Sequence, residues 1–347
     1  MNTSTLTSSI AGAALIAALL LIPGRSWIAL GYHAVSYPVT GAGEAANVVI
    51  DGSIAYASLA DRGVEMIDVA SGKILGIVPP PPGSESVDDV AVADHFLFVL
   101  DARTPGHLSV FSLADPANPK LVPSPVDVAV GPFSGVSAAN GRVIVSGGTS
   151  LMSLRSYDPR GKLSEVLATM DCGRGQPDVL LSPDGQRAFV STHDWGPYFG
   201  LTTVRVGRSL AKAGSLPLDT YGFTAGGAKP ASFPLRAALD DDVLLIADLR
   251  GLNVISIANL DEPRRLATLD VGVKAVNVDV RDHLAAVVGS SPKPLLVLVD
   301  VAIPSSPRVV RSIPLPEGSY PTGVAIGADH IAVASHRHGV LSFPINK

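Results

Sequence analysis

Apolar residues in this chain gather into short runs, each cut off by Gly, Pro, Asp or Asn, and seven of these runs open a matched pair. The first members span 54–59, 96–101, 142–147, 187–192, 243–248, 284–290 and 331–336. A short polar loop leads from each to a second run at 64–69, 108–113, 151–157, 201–206, 252–257, 295–301 and 340–345. Runs of this length, rich in Val, Ile and Leu and bounded by turn residues, predict β-strands. A turn signal stands before each pair: Asp51-Gly52, Asp94-His95, Asn140-Gly141, Asp184-Gly185, Asp241-Asp242, Asp282-His283 and Asp329-His330. Asp, Asn and Gly tolerate the positive φ of two-residue hairpins, so a further strand is expected ahead of each turn. His95, His283 and His330 are thereby read as hairpin residues and set aside as ligands or catalysts.

Pro-rich connections lead on to outer strands at 74–80, 121–128, 165–171, 212–219, 265–272 and 308–315. Four strands in a unit of about 40–55 residues are the signature of a β-propeller. The expected fold is all-β: a seven-bladed β-propeller of four-stranded antiparallel blades. The seventh outer strand does not follow 340–345. Residues 32–39 (YHAVSYPV) have the apolar pattern and the proline of an outer strand. The ring is therefore expected to close by an N-terminal outer strand joining the C-terminal blade, which removes exposed strand edges. A chain begun at Ala45 should then open or unfold, and undiminished stability of that truncation would refute the closure.

Composition narrows the picture. The chain has 347 residues, 47% hydrophobic, with much of that share Ala and Val. Such small side chains suit closely packed sheets. Charged residues are 16%, below the usual share of about 25%. A net charge of −5 lacks the basic stripe that nucleic-acid binding needs. Cys172 is the one cysteine, so no internal disulfide forms, and it reads as a small buried residue at a strand end. The apolar run 10–23 is shorter than the ~20 residues that span a bilayer. Ala29-Leu30-Gly31 after it is an acceptable small-x-small cleavage site, although no Lys or Arg precedes the run. Residues 1–31 are expected to be a signal peptide or an uncleaved N-terminal anchor, and 32–347 a single propeller. The expected location is periplasmic or secreted, with membrane contact only through an uncleaved N-terminus, and the expected state is a monomer.

Four segments share a further pattern: GVEMIDVASGKIL (63–75), HLSVFSLADPANPKLV (107–122), LNVISIANLDEPRRLA (252–267) and PLLVLVDVAIPSSPRVV (294–310). They resemble the LVIVD repeat of secreted bacterial propellers, with Pro116, Pro119, Pro304 and Pro307 at its proline positions. LSPDGQRAFVST (181–192) is closer to the related YVTN-type repeat. The resemblance covers four or five units of seven. It implies an exported seven-bladed propeller and no particular reaction.

In a four-strand meander the b–c and d–a loops share one face, here termed the crown. The b–c loops carry Arg62, Arg103, Arg250 and Arg337 at nearly equivalent positions, with Lys293 in a fifth blade. Forked Arg hydrogen bonds would suit a carboxylate or phosphate ligand. The Asp residues in the same loops offer another role, Asp–Arg pairs tying blade to blade. Asn47, Asp89, Asp178 and Asn277 stand where four inner strands begin, and such oxygens could hold Ca²⁺ or Zn²⁺ at the channel mouth or cap the loops. The fourth blade breaks the repeat at 192–200 with His193, Asp194, Trp195 and Tyr198, an aromatic cluster of recognition type or a flap over its own blade. His336 and His338 add titratable groups three blades away.

No Gly-rich phosphate loop, GxSxG elbow, HExxH or CxxCH motif occurs. Two functions remain: an exported, non-enzymatic binding or assembly module for a protein partner or small anionic ligand, without cofactor; or a metal-assisted hydrolase resembling propeller lactonases, with its site at the channel mouth.

Overall fold

A computed structural model describes Val35–Ser36 and residues 45–345, apart from 82–83, 85, 102–105, 124–125, 129–134, 148–150, 172–177, 193–199, 219–235, 249 and 337. Seven antiparallel sheets account for all the strands in it. Strands are lettered a to d from the channel outward. Blade 1 is Val48–Asp51, Ile54–Ser58, Val64–Asp68 and Ile74–Val78. Strands a and b of the next five blades are Asp89–Ala93 and Phe96–Asp101, Gly135–Ala139 and Arg142–Ser146, Asp178–Leu181 and Arg187–Thr192, Ala237–Asp240 and Val243–Asp248, and Ala275–Arg281 and Leu284–Gly289. Blade 7 has Pro321–Ile326, His330–Ser335 and Gly339–Pro344 as its first three strands. The seven a strands touch in sequence, and that of blade 7 meets that of blade 1, so the ring is closed.

Closure follows the expectation from the sequence. Val35–Ser36 pairs antiparallel with the outer side of Gly339–Pro344, Val35 opposite Ser342 and Ser36 opposite Leu341. The last blade thus takes three strands from one end of the propeller and its rim strand from the other.

Period-2 alternation explains how the blades stack. In blade 1, Tyr56 faces blade 2 while Ala55 and Ala57 face blade 7. Each of the seven blade interfaces accordingly has its own apolar cluster. The interface between blades 7 and 1 is built on Ala45, Ala55, Ala57, Ala325, Ala332 and Ala334. The small, Ala- and Val-rich composition is therefore what face-to-face sheet packing uses.

Two local readings need correction. His95 (φ 65°) and His283 (φ 63°) do sit in two-residue turns beside Asp94 and Asp282. His330, however, is the first residue of strand b and pairs with Pro344, because the turn of blade 7 is Ala328-Asp329. In blade 4, Ser182 pairs with Arg187, so Asp184-Gly185 lies inside a four-residue turn. The outer strand of blade 2 is also divided. Lys120–Leu121 and Val126–Val128 pair with opposite ends of strand c, Gly106–Ser112, with Pro123 between them. Proline has no N–H to give the ladder, so the strand breaks there.

Candidate functional site

Strand pairing places one residue from each a strand, or directly before it, at the same level of the channel, opposite the fifth residue of strand b. Asn47 lies opposite Ser58, Asp89 opposite Leu100, Gly135 opposite Ser146 and Asp178 opposite Ser191. Arg236 lies opposite Ala247, Asn277 opposite Val288 and Gly323 opposite Ala334. Asn47, Asp89, Asp178 and Asn277 were legible as a ring from the sequence. Gly135, Arg236 and Gly323 carry no side-chain oxygen, so a pattern of possible metal ligands passes over them. Arg236 directly precedes its inner strand, as Asn47 does, and that position was the available signal.

The seven residues divide into side chains that reach and glycines that yield space. The Asn47 amide donates to Asp89 Oδ1 at 2.5 Å, and the Val136 N–H of blade 3 donates to Asp89 Oδ2 at 3.0 Å. The Nη1 group of Arg236, from blade 5, donates to Asp178 Oδ1 of blade 4 at 3.0 Å and to Asp89 Oδ2 of blade 2 at 3.3 Å. A Cβ on Gly135 would stand 3.2 Å from Asp178 Oδ1 and 3.6 Å from Asp89 Oδ2, so the cluster converges over that glycine. Across the ring, the Asn277 amide donates to the Thr322 carbonyl at 3.0 Å, and the Thr322 hydroxyl to the Ala45 carbonyl at 2.7 Å. A cation, the guanidinium, already stands between two of the oxygen-bearing residues proposed as metal ligands. Among the described residues, no three of His, Cys, Asp and Glu group as metal ligands.

Burial sets the electrostatics. Side-chain exposure is 1% for Asp89, 7% for Asp178 and 21% for Arg236. Burial pushes Asp178 up to about 6; Arg236 opposes this shift and the nearby Asp89 adds to it. Burial works against the Arg236 charge, but the two carboxylates outweigh it, and the guanidinium is held more firmly protonated than usual. Deeper along the same wall, Asp279 accepts the Ile326 N–H of blade 7 at 2.8 Å and its neighbour Val280 N–H at 2.9 Å. Enclosure pushes this carboxyl up to about 6 as well. All seven blades line the resulting channel cavity, about 350 Å³ in volume, with Arg236, Asp178, Asn47, Asn277, Asp279 and Ser137 as its polar groups and mostly Val, Ala, Leu and Ile between them.

No family model matches the chain, and no curated protein matches it in sequence. Its fold is shared by solved propellers at low identity. A structure of U3-55K superposes with a TM-score of 0.64 at 13% identity, over 88% of this chain and 97% of that one. The WD40 repeats of RRP9 give 0.64 at 12%, over 89% and 96%. A chain of the mitotic checkpoint complex gives 0.63 at 12%, over 96% and 99%. This chain is a seven-bladed propeller similar in structure to WD40 proteins.

The crown loops bring some of the expected residues together. His336 and His338 share one loop of blade 7. The His338 Nδ1 lies 3.3 Å from the buried Ser319 hydroxyl, and the His336 ring packs on Tyr320 with centroids 5.6 Å apart. Arg62 stands close enough to the buried Glu65 to favour its charge, against a burial that raises its pKa. Arg250 and Lys293 are exposed in blades 5 and 6. Asp248 accepts the Arg250 backbone N–H at 2.6 Å and the Asn253 amide, so this aspartate shapes its own loop. Arg103, Arg337, His193, Asp194, Trp195, Tyr198 and Cys172 lie outside the described residues, as does the segment 1–31.

At the opposite end of the channel the turns bind one another. Asp94 of blade 2 accepts the Gly141 N–H of blade 3, and the Asn140 amide donates to the Asp184 carbonyl of blade 4. Arg187 of blade 4 pairs with Asp242 of blade 5 at 2.8 Å, and His283 of blade 6 with Asp240 at 2.7 Å. Asp240 raises the pKa of His283 through that hydrogen bond and its charge.

Proposed function

We propose that this chain is an exported, non-enzymatic binding module that engages its partner through the crown. The observation that carries this reading is the contrast between the two faces. On one, short turns are consumed in contacts between neighbouring blades. The other carries the individual residues: the asymmetric mouth and the loop of Tyr320, His336 and His338. Loops on a rigid scaffold are where binding residues collect. Solved propellers of the same fold include a chain of the mitotic checkpoint complex, a multi-protein assembly by its name, which supports a binding role without naming a partner. Export rests on the apolar N-terminal run of the sequence, and kinship with LVIVD-type propellers on the Pro-x-x-Pro turns at 116–119 and 304–307. Photo-reactive residues at Arg250 and Tyr320, compared with the same residues at His95 and Asp241, test the reading. Cross-linking to one discrete protein from the crown positions alone is the expected outcome. Equal or absent cross-linking at both faces would remove the proposal.

A further inference from the structure

We infer that the channel mouth binds a small zwitterion, a compound carrying both a carboxylate and an ammonium group as a free amino acid does, with the Nε–Nη2 edge of Arg236 on the carboxylate. The inference rests on the crown being the binding face and names a second, small-molecule ligand class for it. Both hydrogen bonds of Arg236 to the protein leave from Nη1. The Arg236 side chain is 21% exposed and lines the channel cavity, with its Nε–Nη2 edge left over from those two bonds. That edge is the planar fork that grips a carboxylate through two parallel hydrogen bonds. Two buried carboxylates hold the other end of the guanidinium, so little freedom remains to be lost on binding.

Charge selects the rest of the ligand. Arg236 brings one positive charge to a cavity lined also by Asp178 and Asp279, and the buried Asp89 lies 3.3 Å from the same guanidinium. A bare anion meets an excess of carboxylates there, whereas a ligand with its own ammonium group brings the missing positive charge. A volume of about 350 Å³ is at the small end of ligand cavities, which run from about 300 Å³ upward. The walls are aliphatic, with Val48, Val90, Val136 and Val324 among them, so a small apolar side chain fits better than a long polar one.

Saturation-transfer NMR and thermal unfolding of the full chain, with the standard amino acids added one at a time and with acetate and methylammonium as half-ligands, provide the test. Transfer to at least one aliphatic amino acid and a raised unfolding midpoint are expected, with neither half-ligand matching it. Arg236→Lys keeps the charge and loses the fork, and should weaken binding by tenfold or more while the far-ultraviolet circular dichroism stays that of a β-protein. If that variant fails to fold, the NMR experiment on the unaltered chain still decides. The inference is overturned if no amino acid gives transfer, if acetate binds as well as the best amino acid, or if Arg236→Lys binds unchanged. Cross-linking from Arg250 and Tyr320 is read separately, so loss of the zwitterion site and loss of the protein-binding crown are distinct results.

Discussion

The two ends of the inner strands meet different demands. At the turn end, blades 2, 3, 5 and 6 use one solution: an Asx residue, a two-residue loop and a bond to a neighbouring blade. Positive φ recurs at Asp94, Asn140, Asp241 and Asp282, all at the first turn position. At the crown end, one structural position carries Asn, Asp, Gly, Asp, Arg, Asn and Gly in successive blades. Repetition at the turns closes a ring whichever blade is considered. The mouth works only as a set, because Arg236 of blade 5 reaches past blade 4 to blade 2 and needs Gly135 to leave the space. A repeat protein that gives up its repeat at one level has placed something specific to that level there, here the zwitterion site.

The sharpest way to break the comparison is to remove Arg236. Arg236→Ala leaves Asp89 and Asp178 buried side by side without their cation. Truncating one partner of a buried charge network costs about 3–5 kcal/mol. Denaturant unfolding should show this loss, and Asp178→Asn in the same chain should restore part of it by removing the second charge. If the single and double variants lose equal stability, the two sites are not coupled and the mouth is no more cooperative than the turns.

Proton linkage comes next in size. Asp178 and Asp279 titrate near 6 in the folded protein, against about 3.9 for an unfolded Asp. A raised carboxyl pKa stabilises the folded state below the unfolded pKa, and that stability is lost as pH rises through the folded pKa. Unfolding free energy should therefore fall between about pH 4 and pH 6 by on the order of 2–3 kcal/mol for each group. Asp178→Asn should remove about one proton from that slope. An unchanged slope in the variant would mean that Asp178 carries its charge at ordinary cost.

The sequence made the frame of this ring legible, and the limits of that reading are physical. Strand pairs, turns and the N-terminal rim strand follow from alternation, Asx-Gly chemistry and proline placement, all of which act within a few residues. Asn47, Asp89, Asp178 and Asn277 were visible because they recur in register. Arg236 was not, since its partners are 58 and 147 residues away and no local pattern links them. Gly135 and Gly323 carry no chemistry of their own, and only the space around them shows what they do. His330 was misplaced by one position because Asp-His looks like a turn wherever it falls, while hydrogen-bond register decides.

Glycine substitutions compare the two ends directly. A Cβ at Gly323 would meet Asn47 Oδ1 at 2.9 Å and the Asn47 Cα and Val48 N at 3.0 and 3.1 Å. Two of these neighbours are backbone of another blade and cannot swing away. Gly323→Ala should cost about 1–3 kcal/mol, as overpacking does. Gly52 sits in a turn at φ +58° with nothing within 4 Å of its Cβ position. Gly52→Ala should cost about 1 kcal/mol, for the left-handed backbone alone. Thermal unfolding of the pair checks the order, and a larger loss at Gly52 would reverse the assignment of the tight end.

The smallest effect belongs to a single bond at the turn end. The Tyr157 hydroxyl donates to Asp94 Oδ2 at 2.8 Å, while its ring packs against Phe96 and Phe98 with centroids 5.9 and 4.9 Å away. Tyr157→Phe keeps the ring and deletes the bond. Asp94 still accepts the Gly141 N–H at 2.8 Å and lies exposed, so water can replace the lost donor. The expected loss is about 0.5–1.5 kcal/mol with an unchanged denaturant slope. A loss as large as that of Arg236→Ala would show that the turn end, too, acts as one cooperative network, and the division of the ring into a repeated end and an individual end would not stand.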